Sequence, residues 1–196
     1  MRDSASVLRL PFFPVDAGEP DLVRRLQRAE LAAVGEAYDQ LHEHVRAFAR
    51  RLLGDAYAAE DLVQETFLAV PAALRGYRGD SSLQSFVIGV AANHARHHVR
   101  AAARRRAAHA RSVDEAAPPA STPEERVQRR ELAAVLTRAL DELPFEQRVA
   151  IVLCEVEERT CAEAAAIVGA PEATVRTRIF HGKRKLRDAL ATRGVR

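Results

Sequence analysis

The chain has 196 residues, of which 47% are hydrophobic and 29% are charged. This balance excludes a disordered chain and a membrane-embedded one, and the length suits one ordinary domain or two small ones. The net charge is only +3, so charge balance alone does not indicate a nucleic-acid partner. The sequence shows neither a run of about 18 apolar residues nor a signal-peptide core, and we expect a cytoplasmic protein.

Apolar residues recur every three or four positions along most of the chain, which predicts an all-α fold. The first apolar stripe runs from Leu31 to Leu52 and stops at Gly54, a residue type that commonly ends helices. The next predicted helix, over about residues 58–70, has one apolar face, and Pro71 is expected to end or kink it. Its other face is acidic and carries Glu60, Asp61, Gln64 and Glu65.

The helix that follows becomes basic along its length. No acidic residue lies between Asp80 and Asp114, whereas Arg96, Arg100 and Arg104 recur at a spacing of four. This spacing places the three side chains on one face at steps of about 6 Å, which favours binding to several DNA phosphates. An ordinary solvated charged face is the alternative.

Periodicity disappears over about residues 107–125, where serine and proline accumulate, and this segment is predicted to be a flexible linker. We therefore expect two small helical domains. The expected ranges are an N-terminal extension (1–20), a first helical domain (21–106), the linker (107–125) and a second helical domain (126–196).

The second domain carries the pattern of a helix-turn-helix. An amphipathic run stops at Pro144, which can begin another helix, and a capping box at Thr160–Glu163 precedes a short Ala-rich helix. Gly169 and Pro171 then separate that helix from a basic one. Arginine and threonine near the start of the basic helix could reach base edges in the major groove, although an ordinary amphipathic C-terminal helix has the same pattern.

The sequence gives little support for an enzyme. His94 and His98 have the spacing of two metal ligands on one helical turn, but no third ligand is evident and the neighbouring arginines would repel a cation. Neither a glycine-rich phosphate loop nor a nucleophile elbow is found. We expect no catalytic activity, no cofactor and no bound metal. Cys154 and Cys161 lie in an apolar stretch that is typical of reduced, packed thiols.

Two sets of motifs resemble one known family, the extracytoplasmic-function sigma factors of bacterial RNA polymerase. Ala59–Phe67, Tyr77–Ser81 and Phe86–Asn93 resemble region 2 of that family. Ala139–Pro144, with Gln147-Arg148 after it, and Thr174–Phe180 resemble region 4. The resemblance extends over about residues 21–190, with a linker where the family has one.

The resemblance implies a role for each surface. In the family, the acidic face of region 2 binds the clamp helices of the largest polymerase subunit, which implies Asp61, Gln64 and Glu65. Region 2 also captures a flipped base of the minus-ten element as the promoter melts, which implies Tyr77, Arg78, Gly79, Asp80, Ser81, Asn93, Arg96, His97 and Arg100. Region 4 reads the minus-thirty-five element, which implies Thr174, Arg176, Thr177, Arg178, Phe180 and Lys183.

The resemblance also implies partners and shows departures. Region 4 in the family contacts the flap of the second-largest polymerase subunit, and an anti-sigma factor often holds the protein inactive. The family commonly has Trp in place of Phe86 and Arg in place of Gly89, and His181-Gly182 is unusual inside a recognition helix. Glycine weakens helices, and the missing arginine removes a possible DNA contact.

Two other functions are kept as alternatives. A stand-alone helix-turn-helix regulator that binds palindromic sites as a homodimer would account only for the C-terminal half of the sequence. A metalloenzyme that uses His94 and His98 is a remote third hypothesis.

Overall fold

The computed structural model describes residues 19–77, 79, 81–109 and 134–193, without the side chains of residues 97, 103 and 106–109. Most of the predicted N-terminal extension, Arg78, Asp80, the His97 side chain and most of the predicted linker therefore lie outside the described residues. The described part of the chain is helical and contains no strand, which confirms the all-α prediction.

The helices are labelled α1 to α8 in chain order. The first four are α1 (Glu19–Gln27), α2 (Leu31–Leu53), α3 (Ala56–Ala73) and α4 (Leu83–His109), with a short 3-10 turn at Leu74–Gly76 between the last two. After residues 110–133 the chain continues as α5 (residues 134–141), α6 (Phe145–Ile151) with a π-helical segment at Val152–Val156, α7 (Cys161–Val168) and α8 (Glu172–Thr192).

Helices α1 to α4 pack together around a buried apolar core to which Phe48, Leu62 and Val87 contribute. Gly54 ends α2 with a left-handed φ of 61°, as the sequence predicts. The expected start of the α2 stripe is wrong, because Leu31 is 86% exposed. Side chains in a helix tilt toward its N-terminus, so that of the first residue projects beyond the packed face.

Of the two outcomes expected at Pro71, an end or a kink of the helix, the end does not occur there. Helix α3 continues through Pro71 and ends at Ala73, where the 3-10 turn begins. Proline removes the N–H that would donate to the carbonyl four residues earlier, but only two residues of α3 follow Pro71, so the interruption is confined to the last turn of the helix. Val70 and Leu74 on either side are buried and hold the backbone in place.

Helices α6 to α8 contain the predicted helix-turn-helix. The Thr160 hydroxyl accepts from the Glu163 backbone N–H at 3.2 Å while the Glu163 carboxylate accepts from the Thr160 N–H at 2.7 Å, so the capping box is confirmed. Gly169 ends α7 with a φ of 62°. Gly182 in α8 is buried against α6, where a β carbon would lie 2.7 Å from the Ile151 side chain, so glycine lets the two helices approach closely.

Among the described helices, none is long and apolar enough to cross a membrane.

Candidate polymerase and nucleic-acid interfaces

The polar face of α3 carries an exposed stripe of four residues. Asp61 and Gln64 are exposed, as the amphipathic pattern predicts. Tyr57 is 87% exposed and Leu68 is 83% exposed, and their spacing from Asp61 places both on this same face. The sequence interpretation missed these two residues, although large apolar side chains at helical spacing from a polar face are a readable signal. Tyr57, Asp61, Gln64 and Leu68 are called the α3 stripe below.

Glu60 and Glu65, which the sequence also assigns to the acidic face, pair with side chains of the neighbouring helices α2 and α4. Arg46 on α2 donates to Glu60 at 2.8 and 3.1 Å. The Glu60 carboxylate is the main reason that the pKa of Arg46 is raised. The acidic surface available to a partner is therefore narrower than the sequence suggests, and it centres on Asp61 and Gln64.

Glu65 joins α3 to α4 through the two histidines that suggested a metal site. His94 Nδ1 lies 3.1 Å from one Glu65 oxygen and His98 Nε2 lies 2.6 Å from the other. The two rings do lie on one face of α4, as their spacing predicts, but they are held by a carboxylate. Among the described residues, no group of three or more His, Cys, Asp or Glu side chains is arranged to hold a metal ion.

A contact between two aromatic rings joins the loop before α4 to the helix. Half-buried Tyr77 meets Phe86 edge to face, with 4.9 Å between ring centroids, and its hydroxyl donates to the Ser81 carbonyl. Gly79 has a φ of 79°, a left-handed conformation that favours glycine. Ser82 caps α4 by accepting from the Ser85 N–H at 3.2 Å. Tyr77 therefore lies beside the first turn of α4 and holds the Ser81 carbonyl.

Helix α4 presents Asn93 and the arginine row. Asn93, Arg100 and Arg104 are exposed, in keeping with a surface row. Arg96, however, pairs with Glu146 of α6, and its guanidinium lies 4.7 Å from the centroid of the Phe145 ring. The first arginine of the row thus has an acidic partner from 50 positions along the chain, a contact that charge counts around the row cannot reveal.

The start of α8 presents the predicted recognition residues. Arg176, Thr177 and Phe180 are exposed, and Phe180 keeps 65% of its surface accessible. Thr174 and Arg178 are half-buried. Arg176 donates to Glu172 at 2.5 Å, one turn earlier, and this hydrogen bond is the main reason that its pKa is raised. The start of α8 therefore exposes the side chains of an arginine, a threonine and a phenylalanine.

The basic part of α8 continues beyond these residues. Lys183 pairs with Glu155 of the π-helical segment at 2.6 Å, and Arg184, Lys185 and Arg187 are exposed. Long basic side chains at such positions can reach phosphates while earlier residues of the helix reach base edges.

Two family models match the chain, one over α2 to α4 and the other over the helices that follow residue 132. Sigma-70 region 2 matches residues 37–105, which run from α2 through most of α4, and Sigma-70 region 4 matches residues 133–186, which include the helix-turn-helix. Together they cover more than half of the chain. The chain belongs to the sigma-70 family. Relatives named as ECF RNA polymerase sigma factors place it in the extracytoplasmic-function group, whose members are transcription initiation factors.

Those relatives match over most of their own length. The chain is 29% identical over 180 residues to RNA polymerase sigma-H factor of Pseudomonas aeruginosa, covering 88% of this chain and 93% of that protein. It is 31% identical over 172 residues to the ECF RNA polymerase sigma-E factor of Escherichia coli K12, covering 83% and 88%. Among solved structures, it resembles the sigma factor RpoE in complex with the anti-sigma factor NepR from Bartonella quintana. That match has a TM-score of 0.55 and 25% identity, and it covers 80% of this chain and 96% of that one.

Proposed function

We propose that this sigma factor directs core RNA polymerase to a small set of promoters, reads their minus-thirty-five and minus-ten elements, and promotes melting of the DNA. The observation that carries the proposal is that surfaces of two different chemical kinds lie on different helices of the two matched regions. The acidic and apolar α3 stripe suits a protein partner, whereas the exposed polar and basic side chains of α4 and α8 suit DNA. The domain limits predicted from the sequence, at residues 21–106 and 126–196, are part of this proposal.

The α3 stripe is the proposed contact with the clamp helices of the largest polymerase subunit. Asp61 and Gln64 supply polar contacts to a basic surface, and the flanking Tyr57 and Leu68 supply apolar area that is otherwise left in water. Glu65 belongs to the same interface by resemblance. Because its carboxylate holds His94 and His98, we expect substitution of Glu65 to disturb packing of α3 on α4 as well.

The loop and face of α4 are the proposed minus-ten reader. Removing a base from the stack costs a few kcal/mol, which contacts in a pocket and along the captured single strand must offset. The proposed residues are Tyr77, Arg78, Gly79, Asp80, Ser81, Asn93, Arg96, His97 and Arg100. The Tyr77–Phe86 pair anchors the loop to α4, the helix that also carries Asn93, and the exposed Arg100 suits a phosphate.

The start of α8 is the proposed reader of the minus-thirty-five duplex. Arg176, Thr177 and Phe180 are exposed on the first turns, where recognition helices meet base edges, and a phenyl ring can contact a thymine methyl group. Thr174, Arg178 and Lys183 complete the proposed set. The second helical domain is also the proposed contact for the flap of the second-largest polymerase subunit.

An anti-sigma factor is a further proposed partner. The Bartonella sigma factor that this chain resembles was solved in complex with one. An inhibitor that covers the α3 stripe would block access to polymerase. We place the protein in the cytoplasm, on the nucleoid when it is bound to polymerase.

Run-off transcription tests the proposal. Purified core polymerase is incubated with pooled genomic fragments, with and without this protein, and the transcript starts are sequenced. We expect new, discrete starts that depend on the protein and share two upstream sequence elements. If the protein produces no new starts and does not bind core polymerase, the proposal is wrong and the stand-alone regulator gains support.

A further inference from the structure

The first turn of α8 holds the side chains of its second turn. Glu172 is the first residue of the helix, and its carboxylate accepts from the Arg176 guanidinium at 2.5 Å. Thr177, the next residue after this arginine, donates its hydroxyl to the carbonyl oxygen of Ala173 at 2.9 Å. Both tethered residues are exposed, and both belong to the proposed minus-thirty-five reader. Each is therefore held by a residue that lies one helical turn earlier in α8 itself.

The backbone at the start of α8 is itself fixed. Gly169 ends α7 in the left-handed conformation, with a φ of 62°, and Pro171 directly precedes the first helical residue. Val175, which lies beside Arg176 in the sequence, is fully buried. Because proline has a fixed φ and Val175 is anchored in the core, the backbone that carries Glu172 and Arg176 has little freedom. The direction of the guanidinium then depends mainly on its hydrogen bond to Glu172.

The hydrogen bond to Glu172 leaves the guanidinium able to read a base. An arginine side chain has five N–H donors in a planar fork, and only Nη2 of Arg176 donates to Glu172. This nitrogen keeps a second N–H, which forms a two-donor fork with an N–H of a neighbouring nitrogen. Guanine offers two acceptors, O6 and N7, on its major-groove edge, and such a fork matches them. Arg176 can thus be held by Glu172 and contact a guanine at the same time.

Glu172 also changes how the surface attracts DNA. Arg184, Lys185 and Arg187, farther along α8, are exposed cations that suit phosphates. Arg176 is instead balanced by a carboxylate, so it adds little to the attraction of phosphates, which are the same in every DNA sequence. The carboxylate is itself repelled by phosphates. The pair therefore weakens binding to DNA of any sequence and leaves a contact that depends on the base.

We propose that Glu172 is a specificity-determining residue, which positions the Arg176 guanidinium for a guanine of the minus-thirty-five element and lowers the affinity for other DNA. Glu172 is a positioning residue, because it acts through Arg176. This role rests on the proposed function, which assigns the start of α8 to the minus-thirty-five duplex. The alternative is an ordinary surface ion pair, since the Arg176 and Glu172 side chains are 69% and 36% exposed and such pairs add little stability.

Binding of promoter fragments by the protein in complex with core polymerase tests the proposal. The probes are a labelled fragment found by run-off transcription, the same fragment with each minus-thirty-five guanine replaced in turn, and one with that element scrambled. We expect Glu172→Ala to lower the discrimination against one replaced guanine by about tenfold. We expect the same variant to bind the scrambled fragment about threefold more tightly, because one negative charge near the phosphates is removed.

Two further variants separate positioning from charge. Glu172→Gln removes the charge but keeps a side-chain oxygen that can accept from Arg176, so we expect most of the discrimination to remain. Its affinity for the scrambled fragment should rise as in Glu172→Ala. Asp188→Ala is the matched control, because it removes one exposed negative charge near the far end of the same helix. We expect this control to leave the discrimination unchanged.

Arg176→Ala shows whether Glu172 acts through the guanidinium. We expect Arg176→Ala to lose discrimination at the same guanine, and Glu172→Ala added to it to cause no further loss. Unchanged discrimination in Glu172→Ala, or an equal loss in Glu172→Gln, overturns the proposal while the assignment of α8 still stands. If Arg176→Ala also keeps full discrimination, the proposed function of α8 is contradicted and the role of Glu172 is overturned with it.

Discussion

Arg148 is fully buried and donates to Asp141 at 2.5 Å, joining the start of α6 to the end of α5. Removing one partner of a buried ion pair takes away compensation from a charge inside the protein, which costs far more than losing an exposed pair. We expect Asp141→Ala to lower the free energy of unfolding by about 3 kcal/mol in urea titrations of the full chain.

The neighbouring residue supplies the control for that experiment. Glu142 pairs with Arg193 near the surface, where the carboxylate side chain is 54% exposed. We expect Glu142→Ala to cost less than about 1 kcal/mol, because exposed ion pairs contribute little. Equal losses in the two variants would show that burial of Arg148 is not what makes its pair important.

Reversal of charge on the α3 stripe is expected to weaken binding to core polymerase. Asp61→Lys places a cation against the basic surface that the proposal requires, and we expect at least a tenfold loss of affinity. Asp61 is exposed, so its thermal unfolding should stay close to that of the wild type. Asp39→Lys, an equally simple change at an exposed position of α2, is the control. Unchanged core affinity in Asp61→Lys would remove the stripe from the interface.

The two DNA readers are expected to respond to separate substitutions. Arg176→Ala should cost about 1–3 kcal/mol in binding to the minus-thirty-five duplex and relax selectivity at one or two positions. Arg187→Ala, farther along α8, should weaken binding to all sequences alike because an exposed arginine there suits a phosphate. The measurement is a competition assay against single-base variants of the duplex.

Asn93→Ala is expected to change discrimination at the minus-ten element alone. The measurement is transcription from promoters that differ by one base in that element. If Asn93→Ala alters use of minus-thirty-five variants and Arg176→Ala alters use of minus-ten variants, the two readers have been assigned to the wrong helices.

Cys154 is expected to react slowly with alkylating reagents in the folded protein. Burial is the main cause that raises the pKa of Cys154 to about 12, and nearby Cys161 contributes. Because the thiolate is the nucleophile, iodoacetamide at pH 8 should modify Cys154 about a hundredfold or more slowly in the native protein than in urea. Peptide mass spectrometry measures the rate of Cys154 modification in the native protein and in urea.

The same shift makes stability depend on pH. The unfolded thiol ionises from about pH 9 while the folded one stays neutral, so the unfolded state loses its proton first. The contribution of Cys154 to stability is therefore present below pH 9 and declines as the pH rises further. Equal alkylation rates in native and unfolded protein would contradict the burial of this thiol.

Local features of the fold could be predicted from the sequence because their causes are local. The end of α2 at Gly54 and the capping box at Thr160 depend on residues within one or two helical turns. The exceptions have local physical reasons as well. Leu31 lies on the first turn of its helix, and only two residues of α3 follow Pro71.

The contact of α4 with α6 and α7 could not be predicted, because the residues that form it are far apart in sequence. Nothing near Arg96 indicates that Glu146 will pair with it, and a glycine within a helix indicates weakness rather than packing. Gly89 acquires a role only when α7 is seen against it. The described candidate residues of α3, α4 and α8 lie on helices, as their patterns predict, whereas their availability to a partner depends on tertiary structure.

One measurement tests the account most directly: the affinity of a labelled promoter fragment for this protein alone and for the protein with core polymerase. We predict weak and unselective binding by the protein alone, because Asn93 and Arg96 of α4 line the same cleft as Arg178 of α8. With core polymerase we predict binding that is at least a hundredfold tighter and depends on both promoter elements. Tight, sequence-selective binding by the wild-type protein alone would contradict the account.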